Sequence, residues 1–365
     1  NTTGASNTAL GHNSMFANTT GTNNVAVGEN SLDANTTGDY NACLGTSALT
    51  SNTTGDLNTA VGQSALFSNT TANHNVAVGY AALTNNTTGE NNVAVGKDAL
   101  QKNTTANYNT AVGYEALEQN TTGTQNVAVG SFALDDNTTA NNNVAIGYLA
   151  LTANTTGTRN IAIGANAADA CVDGANDNIA IGQDALGANT TGDYNVIIGN
   201  YAHSASDGNG YNVAVGHQAL QANETSDNIG IGYLAGANIT TGNNNVCIGN
   251  NAGDAITTAN YNTAVGRKAL SGNTTSANNT AVGYEAMFSG TSANNTVAGY
   301  NALRSGGGGA SCAFGVQALY NCSTGTDNVA VGKQALQEAT TGSNNIAFGL
   351  DSGRSGSPGG SITTG

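Results

Sequence analysis

The segment Asn18-Thr19-Thr20-Gly21-Thr22-Asn23-Asn24-Val25-Ala26-Val27-Gly28-Glu29-Asn30-Ser31-Leu32-Asp33-Ala34 decides how the rest of the chain is read, because Asn35 begins the same pattern again. The N-T-T block returns at Asn52, Asn69, Asn86, Asn103, Asn120, Asn137 and Asn154, at a constant spacing of 17. The second half, Asn24-Val25-Ala26-Val27-Gly28, recurs more faithfully still: with its leading asparagine as a marker, it occurs 21 times between positions 7 and 345. Only Ser311 replaces the marker asparagine. The steps are all 17 except one of 18 (160 to 178) and three of 16 (212 to 228, 279 to 295, 295 to 311). Self-similarity at such a period defines a repeat architecture.

A helix does not fit. Glycine and β-branched residues recur several times per unit and no 3.6-residue spacing is sustained. Val25 and Val27 alternate with Ala26, which is the period of a strand. Each unit predicts a short strand, a glycine turn, a second short strand around Ala-Leu (Ala65-Leu66, Ala82-Leu83) and an N-T-T-G turn. About three large apolar side chains per unit cannot make a core alone, so the units must stack. The expected fold is all-β, a repetitive β-solenoid or β-roll with one coil per repeat of 17. At roughly 4.8 Å per coil, the array predicts a rod of roughly 100 Å. It covers 1–350, with irregular coils near 165–178, 203–211 and 304–311; 351–365 is a Gly/Ser-rich segment leading toward a further repeat.

Composition narrows the partners. Lys+Arg is 8 against Asp+Glu 23, a net charge of −15, with no basic run, so a nucleic-acid footprint is missing. No apolar run approaches the length of a membrane span. Leu, Ile, Val and Phe together make up less than about a fifth of the chain, a scarcity that signals disorder when charge is high. Here only 8% of the residues are charged, and repetition has to supply the order. The chain opens inside a repeat with no leader to read, as expected of a mature or excerpted piece of something longer.

Aligned copies report on the rows of the stack. The glycine four past the marker (Gly28, Gly45, Gly62, Gly79, Gly96, Gly113, Gly130, Gly147 and its later counterparts) is present in all 21 copies, which predicts a positive φ or a close backbone approach. The next position holds His12, Glu29, Thr46, Tyr80, Lys97 or Arg267, and reads as solvated. The residue between the two apolar strand positions is mostly Ala. That small row suits strands of several chains meeting near a shared axis, or otherwise an interior corner. The marker row (Asn24, Asn41, Asn58, Asn75, Asn92, Asn109, Asn126, Asn143) is expected to form a stacked amide ladder, each side chain bonding its neighbour one coil away.

These blocks resemble the head repeats of trimeric autotransporter adhesins, whose units read roughly S-V-A-I-G-x-x-A, and the longer N-T-T-G units are similar to shafts of tail-fibre-like proteins. The resemblance covers about 1–350. It implies a left-handed parallel β-roll, a homotrimer or fibre polymer, display outside the cell or virion, and a host-surface or glycan receptor. The period of 17 rather than 14 departs from the adhesin head, and no neck, stalk or anchor is present, so no receptor-binding residue is carried over.

The candidate chemistry is sparse. Cys43, Cys247 and Cys312 replace small strand residues and read as buried thiols; Cys171 lies in the irregular coil near 165–178, and Cys312 with Cys322 is the candidate disulfide beside the Gly-rich Ser305–Gly309. His12, His74, His203 and His217 scatter over different rows and read as surface rather than metal ligands. N-T-T is a glycosylation sequon at Asn18, Asn35, Asn52, Asn69, Asn86, Asn103, Asn120, Asn137, Asn154, Asn189 and Asn273, although asparagine and threonine also serve as turn residues. Six tyrosines follow the invariant glycine and five precede the marker, and are expected to cover the coil below. Catalytic, cofactor and metal residues are not expected, nor an enzyme. The expected function is a structural extracellular fibre, the shaft or head of an adhesin-like filament. Alternatives are a phage tail-fibre shaft, a glycan-coated filament and an ice-binding solenoid.

Overall fold

A computed structural model describes residues 2–171, 174–205 and 209–354. The chain forms two compact units, Asn1–Asp184 and Ala185–Gly365. The N-terminal unit carries β1 (Thr8–Leu10) through β11 (Ile179–Ile181), and the C-terminal unit β12 (Val196–Ile198) through β21 (Ile346–Phe348). Each strand is three residues long and starts one residue past a marker. Within each unit successive strands pair in parallel and in register, as in Thr59↔Val76, Ala60↔Ala77 and Val61↔Val78. The fold is thus an all-β parallel solenoid with a spacing of about 17 from coil to coil, as from Asn35 to Asn52.

The irregular steps are absorbed outside the strands. Ile161 faces Ile179 across the one long step, and Thr280, Thr296 and Cys312 align across two short ones. Of the irregular coil at 203–211, residues 206–208 lie outside the described set, as do 172 and 173 in the earlier one and 355–365 of the terminal segment. No helix among the described residues is long and apolar enough to cross a membrane.

The second strand expected around Ala-Leu is a turn instead. In the coil after β4 (Thr59–Val61), the Ala65 N–H reaches back to the Gly62 carbonyl at 3.4 Å, and Ser64 and Leu66 lie at φ 59° and 51°. Left-handed residues two apart break the pleat that a strand needs. Such a conformation costs a non-glycine residue about 1–2 kcal/mol, and nearly every coil carries three. An isolated coil has nothing to offset that strain. In the stack each such residue bonds a neighbouring coil: Leu66 N–H donates to Ala82 O at 3.0 Å and Ser64 N–H to Thr46 O at 3.0 Å.

The invariant glycine turns the chain out of the strand, and both expected reasons for it hold. Gly28 has φ +137°, a region closed to L side chains, and a Cβ there would run into the Gly45 carbonyl oxygen. The loose fourth residue of N-T-T-G has no positive φ, which is why Ala72 or Ala106 can stand there.

The core runs down the inside of each unit. The middle strand residue, the alanine after the turn and the leucine are fully buried, as in Ala60, Ala65 and Leu66. The placement of the alanine row at an axis between chains is therefore corrected. Ala26, Ala60 and Ala77 face the interior of their own coil and are buried, as are Cys43, Ile197 and Val297 in the same row. It is the flanking valines that point outward.

The two units fill this interior differently. In the N-terminal unit leucine occupies its slot without interruption from Leu32 to Leu151. In the C-terminal unit the same slot holds Leu186, His203, Leu220, Gly236, Gly253, Leu270 and Met287. At Gly236 and Gly253, where glycine replaces leucine, an isoleucine stands three residues later. Ile239 and Ile256 are fully buried, and a Cβ on Gly236 or Gly253 would fall 3.0 or 2.9 Å from their Cδ1 atoms. The isoleucine thus occupies the space that leucine fills elsewhere.

Candidate functional site: side-chain ladders and an apolar sheet face

From Asn24 to Asn154 two asparagines per coil are buried, and they divide the work differently from the sequence expectation. The marker clamps backbone to backbone. Asn24 Oδ1 accepts the Asn41 N–H at 2.8 Å while Asn24 Nδ2 donates to Gly38 O at 2.8 Å, both groups on the following coil. Amide-to-amide contacts in this row are the longer ones, as at 3.2 Å from Asn58 Nδ2 to Asn41 Oδ1. The side-chain ladder proper runs through the other asparagine: Asn35 Nδ2 donates to Asn18 Oδ1 at 2.7 Å, Asn52 to Asn35 at 2.9 Å, and so on to Asn154. Ser311 keeps the marker row intact, its hydroxyl accepting the Asn328 N–H at 3.3 Å.

This arrangement overturns the sequon reading. Asn18, Asn35, Asn52, Asn69, Asn86, Asn103, Asn120, Asn137, Asn154, Asn189 and Asn273 are all at most 1% exposed. Their Nδ2 groups are spent inside the coil, as where Asn35 Nδ2 also donates to Gly38 O at 3.0 Å. A sugar on that nitrogen would replace one of its two N–H donors, remove one of these bonds and collide with the next coil. These residues are rungs, not glycan acceptors, in the folded array.

A third ladder, on the surface, escaped the sequence reading. Asp39 Oδ1 accepts the Thr22 N–H at 2.6 Å, and Asp56 Oδ1 accepts the Asp39 N–H at 2.7 Å. The signal was the preference for Asp, Asn and Thr two residues before the marker. Threonine contributes as well: Thr19 Oγ1 donates to Thr36 O at 2.8 Å, and the second threonine of each pair (Thr20, Thr37, Thr54, Thr71) is exposed.

The remaining titratable groups separate. No cysteine is disulfide-bonded, which corrects the Cys312–Cys322 pairing. Cys312 opens β19 (Cys312–Phe314) and points outward, half-buried, whereas Cys322 takes the interior asparagine slot and donates its thiol to Gly325 O. Cys43 and Cys247 stand in the alanine row, where burial pushes their thiols up to about 12. His203 is buried, not superficial, because it takes the leucine slot. Burial pushes its imidazole down to about 4, opposed by a hydrogen bond with its own backbone, and its Nε2 lies 3.0 Å from Asn223 Nδ2.

Glu115, Glu118 and Asp135 bring carboxylate oxygens within 4.8 Å of one another. Burial first, and then the neighbouring Glu118, push the Asp135 carboxyl up to about 7. The sequence concealed this cluster because Asp135 lies one coil beyond Glu115 and Glu118. As expected, tyrosines cover one another along the stack: Tyr284 and Tyr300 lie 5.2 Å apart and nearly parallel, Tyr194 and Tyr211 5.3 Å apart.

The outward face of the strands is the most unusual surface of the molecule. Its leading column, one residue past the marker, is Val, Ile, Thr, Ala or Cys in every copy, and its trailing column, two residues later, is Val, Ile, Leu, Ala or Phe. Not one charge falls in either column. Val25, Leu44, Ile146, Ile198, Ile231, Val282 and Phe314 are 37–52% exposed. Parallel sheets are ordinarily covered on both faces, and a water-facing sheet alternates to polar side chains. Around Ala42 this face is indented by an apolar notch of about 190 Å³ lined by Val25, Val27, Ala42, Cys43, Leu44 and Val61.

No family model matches the chain, and no curated protein matches it as a relative.

Proposed function

We propose that this chain is a structural element, a self-associating solenoid that forms the shaft or head of an extracellular fibre displayed on a cell or virion surface. The observation that carries the reading is the exposed, charge-free strand face, repeated at every coil. Within each unit, a parallel sheet face that carries Val, Ile, Leu, Phe, Ala, Cys and Thr but no charge departs from the polar alternation of a water-facing sheet. Copies of the chain packed face to face, three in the arrangement that the repeat resemblance implies, would cover it. The ladders supply what such an element needs along its length, since every coil bonds the next through side chains as well as backbone.

Sedimentation equilibrium on the purified chain tests the proposal. The expected mass is a multiple of 36.1 kDa at micromolar concentration. A 36.1 kDa monomer at all concentrations would contradict it. A second reading, ice binding, draws on the exposed threonine column. That column is single where a flat array needs at least two, and thermal hysteresis measures it directly.

A further inference from the structure

We infer that the strand face carries register keys for a second copy of this chain: rungs in which volume is moved from the leading to the trailing column, so that copies fit only with identical coils at the same level. The inference rests on the self-association proposed above and adds which residues meet.

Most rungs of the face are nearly alike. Val76/Val78, Val93/Val95, Val127/Val129 and Val213/Val215 could slide past one another by a whole coil with little change in packing. A uniform face therefore leaves the axial position of a partner undetermined. Two rungs break the uniformity in the same manner. In β3 (Ala42–Leu44) the leading residue shrinks to alanine and the trailing one grows to Leu44, 52% exposed. In β19 the leading residue is Cys312 and the trailing one is Phe314, 41% exposed. One key lies in each unit. Ile346/Phe348 is large in both columns and makes no such exchange.

At β3 nothing within a single chain calls for this exchange, because the neighbouring rungs Val25/Val27 and Thr59/Val61 fill both columns, whereas in β19 Phe314 also stands beside Ala298 of the preceding coil. It has a purpose if the columns of two copies interlock. An axis of rotation parallel to the stack sets the leading column of one copy against the trailing column of the next. At equal height, Leu44 of the second copy then enters the notch over Ala42, and Phe314 covers the small side chain of Cys312. A slip by one coil presses Leu44 onto Val25 or Thr59 and leaves the notch beneath Val27 or Val61, combining overpacking with a void. The notch is apolar, matches a branched aliphatic side chain in character, and is bordered by no charge.

A volume-swap cycle read by sedimentation tests the inference. Ala42→Leu and Leu44→Ala are each expected to weaken association about tenfold or more, and the double variant A42L/L44A to return within about threefold of the unsubstituted chain. C312F/F314C provides the same comparison in the C-terminal unit. Far-ultraviolet circular dichroism should be unchanged throughout, since every substituted side chain is on the outer face. Additive effects, or single variants that associate like the parent, overturn the register keys and leave self-association standing. A parent chain that remains monomeric overturns both and assigns the face to a different covering surface.

Discussion

In the N-terminal unit the asparagine ladder is unbroken from Asn18 to Asn154 and leucine fills its slot in eight consecutive coils from Leu32 to Leu151. In the C-terminal unit those two rows carry Gly236 with Ile239, Gly253 with Ile256, Met287 with Gly290, Leu319 with Cys322, and His203 near Asn223. The strands, the marker clamp and the turn glycine remain the same in both. What differs is interior volume, and the difference shows which constraints are local to a residue and which belong to a pair. The turn glycine answers to its own φ and to the carbonyl beside it, so it never varies. Leucine and the ladder asparagine share one space. They can be exchanged together, provided that an apolar group fills what the leucine vacates and that the lost amide bonds end cleanly. The ladder does not end cleanly everywhere. Asn154 Oδ1, facing the coil where Cys171 replaces asparagine, is buried without a hydrogen-bond partner, a cost of about 1–3 kcal/mol.

The comparison can be broken most severely by importing half of the C-terminal solution into the N-terminal unit. Leu100→Gly is expected to lower local stability by about 3–4 kcal/mol through the cavity it leaves. Adding Asn103→Ile, which recreates the Gly236/Ile239 arrangement, should recover about half; the unrecovered part belongs to Asn86 Oδ1, which loses its donor, and to Asn120 Nδ2, which loses its acceptor. Amide hydrogen exchange resolved coil by coil is the suitable measurement, because long repeat arrays do not unfold in one step. A double variant no better than L100G would show that volume is not what the pair shares.

Acid response sharpens the contrast next. His203 titrates near 6.5 when unfolded and near 4 in its buried slot, so its neutral form contributes stability that is complete above pH 6.5 and is lost as pH falls through 4. The C-terminal coils around it should lose about 3 kcal/mol over that interval. His203→Leu, which restores the majority residue, should abolish the loss. Exchange rates at pH 4 and pH 7 in both proteins check this.

A smaller effect of opposite sign is expected in the N-terminal unit. The Asp135 carboxyl sits near 7 in the fold against an ordinary 3.8, so the protonated form is favoured there. Its contribution is complete below pH 3.8 and is lost as pH rises through 7. The group is partly solvated, which reduces the effect to about 1–2 kcal/mol. Asp135→Asn should remove this slope in the exchange rates and leave the His203 response unaltered.

Much of this architecture was legible in the sequence, and for one reason: 21 copies of one unit report exposure and constraint as an alignment would. The period, the strand at Val25–Val27 and the demand on Gly28 came from that internal comparison. Local geometry was less legible. Ala-Leu read as a strand because apolar residues are expected to lie in regular structure, whereas Leu66 adopts a left-handed conformation held by neighbouring coils. The roles of the two asparagines were blurred because composition does not tell a side chain that grips backbone from one that grips its own kind. Asn35 read as a surface acceptor since its sequon is a motif of exposed turns, and only the path of the chain reveals that the turn folds inward. The direction of the strand faces was likewise undetermined, as alternation alone does not say which side is the core.

Disulfide trapping between engineered cysteines tests the stacking most directly. Thr71 and Thr88 lie in the exposed threonine column one coil apart, close enough for a disulfide across adjacent strand-like backbones. The T71C/T88C pair is expected to oxidise rapidly and fully, and the off-period pair T71C/T84C not at all. Equal yields from both pairs, or a maximum at any offset other than the repeat length, would contradict coils piled in register.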